Sequence, residues 1–213
     1  MTIQAVIWDF GGVFTTSPFD AFNRYERERG LPHDIIRRIN SINPDANAWA
    51  LIEKSEVDAA TFDKLFADEA KALGFDIRGA DVLALLSGDL RPRVIDAFKA
   101  CKAHFKVGCI TNNAPTGKGV GMSSSSDKAA AIAEVFSLFD HVIESSKAGV
   151  RKPDPRIYRM MCDALGVAPE TCVYLDDLGI NLKPAREMGM TTIKVTSEDQ
   201  LLADLSKAVG LTF

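Results

Sequence analysis

Cys172-Val173-Tyr174-Leu175-Asp176-Asp177 is a four-residue apolar run that ends in two adjacent carboxylates. A short run without polar alternation suits a strand buried on both faces of a parallel sheet. Neighbouring carboxylates repel each other, and an ordinary strand end gains nothing from the pair. A hard divalent cation removes the repulsion, because Mg²⁺ takes oxygen ligands from one or two carboxylates and leaves positions for a substrate phosphate. A second run, Ala5-Val6-Ile7-Trp8, also ends in a carboxylate, Asp9. If both strands lie in one parallel sheet, their carboxyl ends converge on one crevice. On these residues alone a blander alternative stays open, in which Asp176 caps a helix and Asp177 is solvated.

Three more apolar runs, Lys106–Ile110, His141–Ile143 and Thr191–Val195, have the same character. Helical patterns separate them, such as Arg156–Leu165, which follows a proline and stops before Gly166, and a segment around Arg93–Ala103. Strands alternating with helices predict an α/β fold with a doubly wound, Rossmann-like parallel sheet. The rhythm breaks once, between the first strand and Arg93. There Phe62, Leu65, Phe66, Ala70 and Leu73 share one helical face behind the N-cap candidate Asp58, and Phe19, Phe22 and Tyr25 form a shorter stripe. Residues 15–90 are therefore expected to form a helical cap inserted into a core made of 1–14 and 91–213.

With 213 residues the chain can hold one substantial core plus such an insertion. A net charge of −4 gives no electrostatic case for nucleic acid or an anionic membrane as partner. Cys101, Cys109, Cys162 and Cys172 form no CxxC pair and no zinc-like spacing, so they read as reduced, buried thiols. No apolar run reaches membrane-spanning length and no signal-peptide pattern opens the sequence, so a cytoplasmic protein is expected. The glycine- and serine-rich stretch Asn113–Ser126 contains Gly117-Lys118-Gly119 without phosphate-loop spacing. It reads as a mobile loop near the site. Oligomeric state has no signature.

Four segments stand in order: Trp8-Asp9-Phe10-Gly11-Gly12-Val13, Ile110-Thr111-Asn112-Asn113, Gly149-Val150-Arg151-Lys152-Pro153-Asp154-Pro155 and Leu175-Asp176-Asp177-Leu178-Gly179-Ile180-Asn181. Together they resemble the motifs of haloacid dehalogenase (HAD) superfamily hydrolases that carry a helical cap of the C1 type. Ser145–Ile193 is especially similar to the amino-terminal phosphatase domain of soluble epoxide hydrolase and the related domain of acyl-CoA dehydrogenase family member 10. The resemblance implies a phosphatase in which Asp9 is the nucleophile and forms an aspartyl-phosphate. It places Phe10, Gly11, Thr111, Asn112 and Lys152 around the phosphate, with Lys152 neutralising both nucleophile and phosphoryl group. It assigns Mg²⁺ to Asp177 directly and Asp176 through water, with Asp9 and the Gly11 carbonyl completing the set. Asn181 would brace this last loop. Taken singly, these residues more commonly have plainer roles, Thr111 as a helix N-cap, Lys152 as a surface lysine and Gly11-Gly12 as a tight turn.

One position departs from the family pattern. Its phosphatases commonly carry a second Asp, the acid and base of the reaction, where this chain has Gly11. Positioned acid–base catalysis contributes about 10²–10⁴-fold, and enzymatic acceleration of phosphate monoester hydrolysis reaches roughly 10²¹. A missing acid therefore implies a slower enzyme that favours good leaving groups. Two other readings compete. Metal-independent 2-haloacid dehalogenases also lack the second Asp, but they lack an adjacent acidic pair like Asp176-Asp177 as well. A non-catalytic binding module would explain Gly11 but not the retained Asp9, Thr111, Lys152 and Asp177. Substrate choice is expected to lie with the cap, where Trp49, Asn43 and Glu53 are candidates to line its closure over the crevice. Sugar, lipid and nucleotide phosphates stay undistinguished.

Overall fold

The computed structural model describes residues 2–114, 122 and 125–213. Most of the glycine- and serine-rich stretch, and with it the expectation of a mobile loop, lies outside the described residues.

Five strands form one sheet: β1 (Ala5–Trp8), β2 (Lys106–Thr111), β3 (His141–Glu144), β4 (Cys172–Asp176) and β5 (Thr191–Lys194). Their order is β3-β2-β1-β4-β5, and every pair is parallel. The apolar runs locate the strands to within about a residue at each end. α1 (Pro18–Glu28), α2 (Ile35–Ser41), α3 (Ala48–Glu53), α4 (Ala59–Ala72), α5 (Gly79–Ala84) and α6 (Pro92–Lys102) lie between β1 and β2. α7 (Ser126–Ser137) leads to β3, α8 (Ser145–Ala148) and α9 (Pro155–Leu165) to β4, and α10 (Gly179–Glu187) to β5. α11 (Glu198–Val209) follows. α9 starts on Pro155 and stops at Gly166, whose φ of 62° is the left-handed conformation that glycine adopts without a steric penalty.

Side chains alternate across a strand, so β1 serves both faces of the sheet. Val6 and Trp8 pack with Phe14, Val94, Phe98 and Leu201 on the side of α6 and α11. Ala5 and Ile7 pack with Tyr158, Met161, Tyr174 and Leu182 on the side of α9 and α10. This double burial is why β1 and β4 read as unbroken apolar runs.

Helices α1–α5 have a separate core that includes Phe22, Ile36, Ile52, Phe62, Phe66 and Val82. Along α4, Phe62, Phe66 and Ala70 are buried while Leu65 and Leu73 sit at the margin. Each large apolar side chain buried in this way contributes about 1.5–3 kcal/mol. Asp58 caps α4, accepting the Thr61 N–H at 2.8 Å. The start of α2 is held differently, by the buried Glu26, which accepts the N–H groups of Asp34 at 2.7 Å and Ile36 at 2.9 Å. The helical segment joins the sheet through a two-stranded stem. Thr15 bridges Leu90, the Thr16 N–H reaches Asp89 O at 2.8 Å, and the Arg91 N–H reaches Phe14 O at 2.8 Å. Among the described residues no helix is long and apolar enough to cross a membrane.

Candidate active site

The strand order turns back beside β1. The chain runs from β1 to β2 and β3 on one side, then returns to place β4 and β5 on the other. Such a reversal opens a crevice beyond the carboxyl ends of the strands. Asp9 follows β1, Thr111 ends β2, and Asp176-Asp177 ends β4. Asp9, Asp176 and Asp177 each offer a carboxylate oxygen, and the three oxygens lie within 4.8 Å of one another.

Lys152 stands among these carboxylates. Its Nζ is 2.8 Å from Asp9 Oδ1 and 2.8 Å from Asp176 Oδ2, with the side chain only 1% exposed. Burial works against the ammonium, but Asp176 and Asp9 outweigh it and hold its pKa well above that of an ordinary lysine. Asp9 is pushed well above the usual carboxylate range by burial, which Asp176 and Asp177 reinforce and Lys152 opposes. Burial, with Asp176 beside it, raises Asp177 to about 7. Among the described residues the Lys152 ammonium thus contacts two of the three carboxylates, and Arg91 adds a positive charge that acts on Asp177.

The two acids of the pair have different surroundings. Asp176 is fully buried and both its oxygens are engaged. Oδ2 accepts from Lys152 Nζ and from Tyr174 Oη at 2.5 Å, and Oδ1 accepts the Leu178 N–H at 2.8 Å. The Asn181 amide bridges both oxygens at 3.0 and 3.1 Å. Asn181 is fixed in turn by Tyr158, whose hydroxyl donates to its carbonyl at 2.6 Å. Asp177 is partly exposed.

The loop after β1 carries the other expected groups. Phe10 turns its ring into the core, 4.3 Å from Phe136 and 5.4 Å from Phe14, so only its backbone faces Asp9. Its N–H donates to Asp9 Oδ1 at 2.6 Å. Gly11 is exposed with open space where a side chain would go. Gly12 has φ +74° and lies against the Asp177 carboxylate. Arg91, from the far end of the helical insertion, pins this loop by donating to Gly12 O at 2.9 Å and Val13 O at 3.3 Å.

Thr111 is buried at the end of β2. The Asn112 side chain clasps the backbone of Lys152: Oδ1 accepts its N–H at 2.9 Å and Nδ2 donates to its carbonyl at 3.1 Å. Asn113 ties the same loop to β3 and α8 through Glu144, Ser145 and Ser146. Of the three residues expected to line the cap's closure, Glu53 reaches the site segments. It is buried, which raises its pKa, and it meets Arg151 and Asn112. Trp49 packs on Phe62 at 5.5 Å and donates to Glu53 at 3.1 Å. Asn43 is exposed in a turn.

Sequence reasoning missed Arg91, Tyr158 and Tyr174. For Tyr174 a signal existed, since residues two apart on a strand share a face and Tyr174 therefore points with Asp176. For Arg91 none did, because its partners lie 78 and 79 positions away.

A family model described as haloacid dehalogenase-like hydrolase matches residues 3–189. Bifunctional epoxide hydrolase 2 of Rattus norvegicus is 39% identical over 100% of the chain, which spans 40% of that protein's length. Phosphatase MT3486 of Mycobacterium tuberculosis is 28% identical over 97% of the chain and 95% of its own length. Among solved structures, L-2-haloacid dehalogenase from Xanthobacter autotrophicus with chloropropionic acid covalently bound superposes with a TM-score of 0.62 at 20% identity. That likeness covers 97% of this chain and 83% of the dehalogenase and speaks for the shared fold alone. The chain belongs to the haloacid dehalogenase-like hydrolase family.

Proposed function

We propose that the protein is a Mg²⁺-dependent phosphatase that hydrolyses a small-molecule phosphate ester through an aspartyl-phosphate on Asp9. The observation that carries this reading is the cluster of Asp9, Asp176 and Asp177 oxygens within 4.8 Å, with the Lys152 ammonium set on Asp9 and Asp176. The donor set is all oxygen, which suits Mg²⁺, and three gathered carboxylates suit a divalent cation. Asp9, Asp177 and the Gly11 carbonyl would hold it. Asp176, with both oxygens engaged, would serve mainly to fix Lys152 and the turn before α10. When bound, the cation offsets the repulsion between phosphate and carboxylates and draws charge from the phosphoryl oxygens.

In the first step an Asp9 oxygen attacks phosphorus and the phosphorus–ester oxygen bond breaks, so that the leaving group departs as an alkoxide or aryloxide and takes its proton from water. Lys152 screens the charge of Asp9 as phosphate approaches and then stabilises the transferring group. The Thr111 hydroxyl, at the end of β2, would donate to a phosphoryl oxygen. In the second step water attacks the aspartyl-phosphate, releasing phosphate and restoring the Asp9 carboxylate. Gly11 provides no side chain to protonate the leaving group, so esters of acidic alcohols are the best substrates. Turnover persists because phosphoryl transfer rests chiefly on positioning and charge neutralisation. The helices α1–α5 would act as the cap, and the four buried free thiols fit a reducing compartment such as the cytoplasm.

The test is hydrolysis of p-nitrophenyl phosphate by the full chain, with Mg²⁺ and with EDTA, beside Asp9→Asn. Metal-dependent hydrolysis that disappears in the variant supports the reading. Wild-type rates in Asp9→Asn would overturn the mechanism. Gly11 is the one observation favouring a second reading, and chloride release from 2-chloropropionate in EDTA would reveal a dehalogenase.

A further inference from the structure

The helical insertion reaches the site machinery through Glu53, at the end of α3. Glu53 Oε2 lies 2.7 Å from Arg151 Nε, an ion pair in which the N–H is not aligned on the oxygen. The same oxygen lies 3.4 Å from Asn112 Nδ2, and Oε1 accepts from Trp49 at 3.1 Å. The Glu53 carbonyl accepts from Ser145 Oγ at 2.8 Å, and Arg151 also donates to Pro44 O at 2.9 Å. Asp176 and Asp9 hold the Lys152 ammonium, whereas Asn112 and Arg151 bear on its backbone. One clasps its peptide from both sides, and the other precedes it in the chain. The Lys152 ammonium then rests on Asp9.

A carboxylate turned towards a phosphate ester would repel it. Glu53 is committed instead to Arg151, Asn112 and Trp49, which leaves it a structural task. We infer that Glu53 is a positioning residue for Lys152. Its carboxylate on α3 gathers Asn112 and Arg151, and through them holds the lysine on Asp9. Docking of the helical segment is thereby tied to neutralisation of the nucleophile. The inference rests on the proposed roles of Asp9 and Lys152 for its catalytic consequence but not for its structural one.

Two readouts on the full chain test it. The first is acetylation of Lys152 by a limiting dose of acetic anhydride, followed by mass spectrometry. In the wild type Lys152 is protected. In Glu53→Gln, and equally in Arg151→Gln, it should label severalfold faster while the exposed lysines keep their rates. The second is turnover of p-nitrophenyl phosphate. Glu53→Gln should lower kcat about 10- to 100-fold with KM little changed, since misplacement by about 1 Å costs on that scale. The Glu53→Gln/Arg151→Gln double variant should be no worse than the poorer single one, because both break the same link. Unchanged Lys152 labelling in both single variants overturns the inference. So does a raised KM at constant kcat, which would make Glu53 a substrate contact. If the wild type hydrolyses no phosphate ester the proposed function fails, and the labelling still decides whether Glu53 holds Lys152.

Discussion

A Cβ placed on Gly12 would overlap Oδ2 of Asp177, closer than any two such atoms approach. The turn after β1 and the carboxylate after β4 are thus fitted to each other at a position where φ is +74°. Gly12→Ala has to displace Asp177 or the turn itself. The backbone penalty is roughly 1–2 kcal/mol, and a shift of the carboxylate by about 1 Å should lower turnover by about 100-fold. Steady-state kinetics with a Mg²⁺ titration would show a fall in kcat and weaker metal activation. Wild-type metal activation in this variant would mean that Asp177 does not need its present place.

Gly11 is the opposite case, exposed and with nothing among the described residues within 4 Å of the point where a Cβ would stand. Gly11→Asp should be tolerated without loss of stability and should supply the missing acid. Turnover of alkyl phosphates should then rise by up to about 10²–10⁴-fold, and that of aryl phosphates by much less. Equal or reduced rates on both would show that protonation of the leaving group is not the limiting defect.

Asp9 and Asp177 both have folded-state pKa values raised above the unfolded value of 3.8, Asp177 to about 7. Between those values the folded chain binds more protons than the unfolded one, so stability falls as pH rises. The Asp177 contribution is fully present below the unfolded pKa and is lost as pH climbs through about 7, and that of Asp9 has the same sign. A cation reverses the trend by favouring the ionised carboxylates. Thermal melts should therefore show a larger Mg²⁺-induced rise in Tm at pH about 8 than at pH about 5. Asp177→Asn should flatten that difference, and a rise that ignores pH would refute the linkage.

Tyr174→Phe removes one donor from the fully buried Asp176, which keeps Lys152, Asn181 and the Leu178 N–H. A hydrogen bond to a charged group contributes about 1.5–3 kcal/mol. Urea unfolding should show a loss of that size, accompanied by a modest fall in kcat as Lys152 loosens. An unchanged midpoint would mean that the remaining donors satisfy Asp176.

The strands were legible because a sheet covered on both faces writes its strands as unbroken apolar runs, and β1 and β4 are such runs. The face of α4 was legible from the spacing of Phe62, Phe66 and Ala70, and its start from Asp58. Asp9, Lys152 and the acid pair were legible as a set because their segments stand in a family order. Their division of labour was not. That Asp176 spends both oxygens on its neighbours depends on Tyr174, Asn181 and Lys152 meeting in space. The same holds for Glu53, whose partners Asn112 and Arg151 sit on distant segments, and for Arg91 on the Gly12 loop. Side-chain pairs across a long sequence separation leave no periodic trace.

The stem formed by Thr15–Thr16 and Asp89–Arg91 makes the intervening helices a detour. The chain leaves the sheet and returns to it at one point, so strand register does not depend on what the detour contains. An exchange of this segment for another helical module has to reproduce the stem and, to keep Lys152 in place, one electrostatic handshake, the carboxylate of Glu53. Chimaeras that keep an acid there should inherit the core's chemistry together with a foreign substrate preference. Those that lose it should fold with Lys152 adrift.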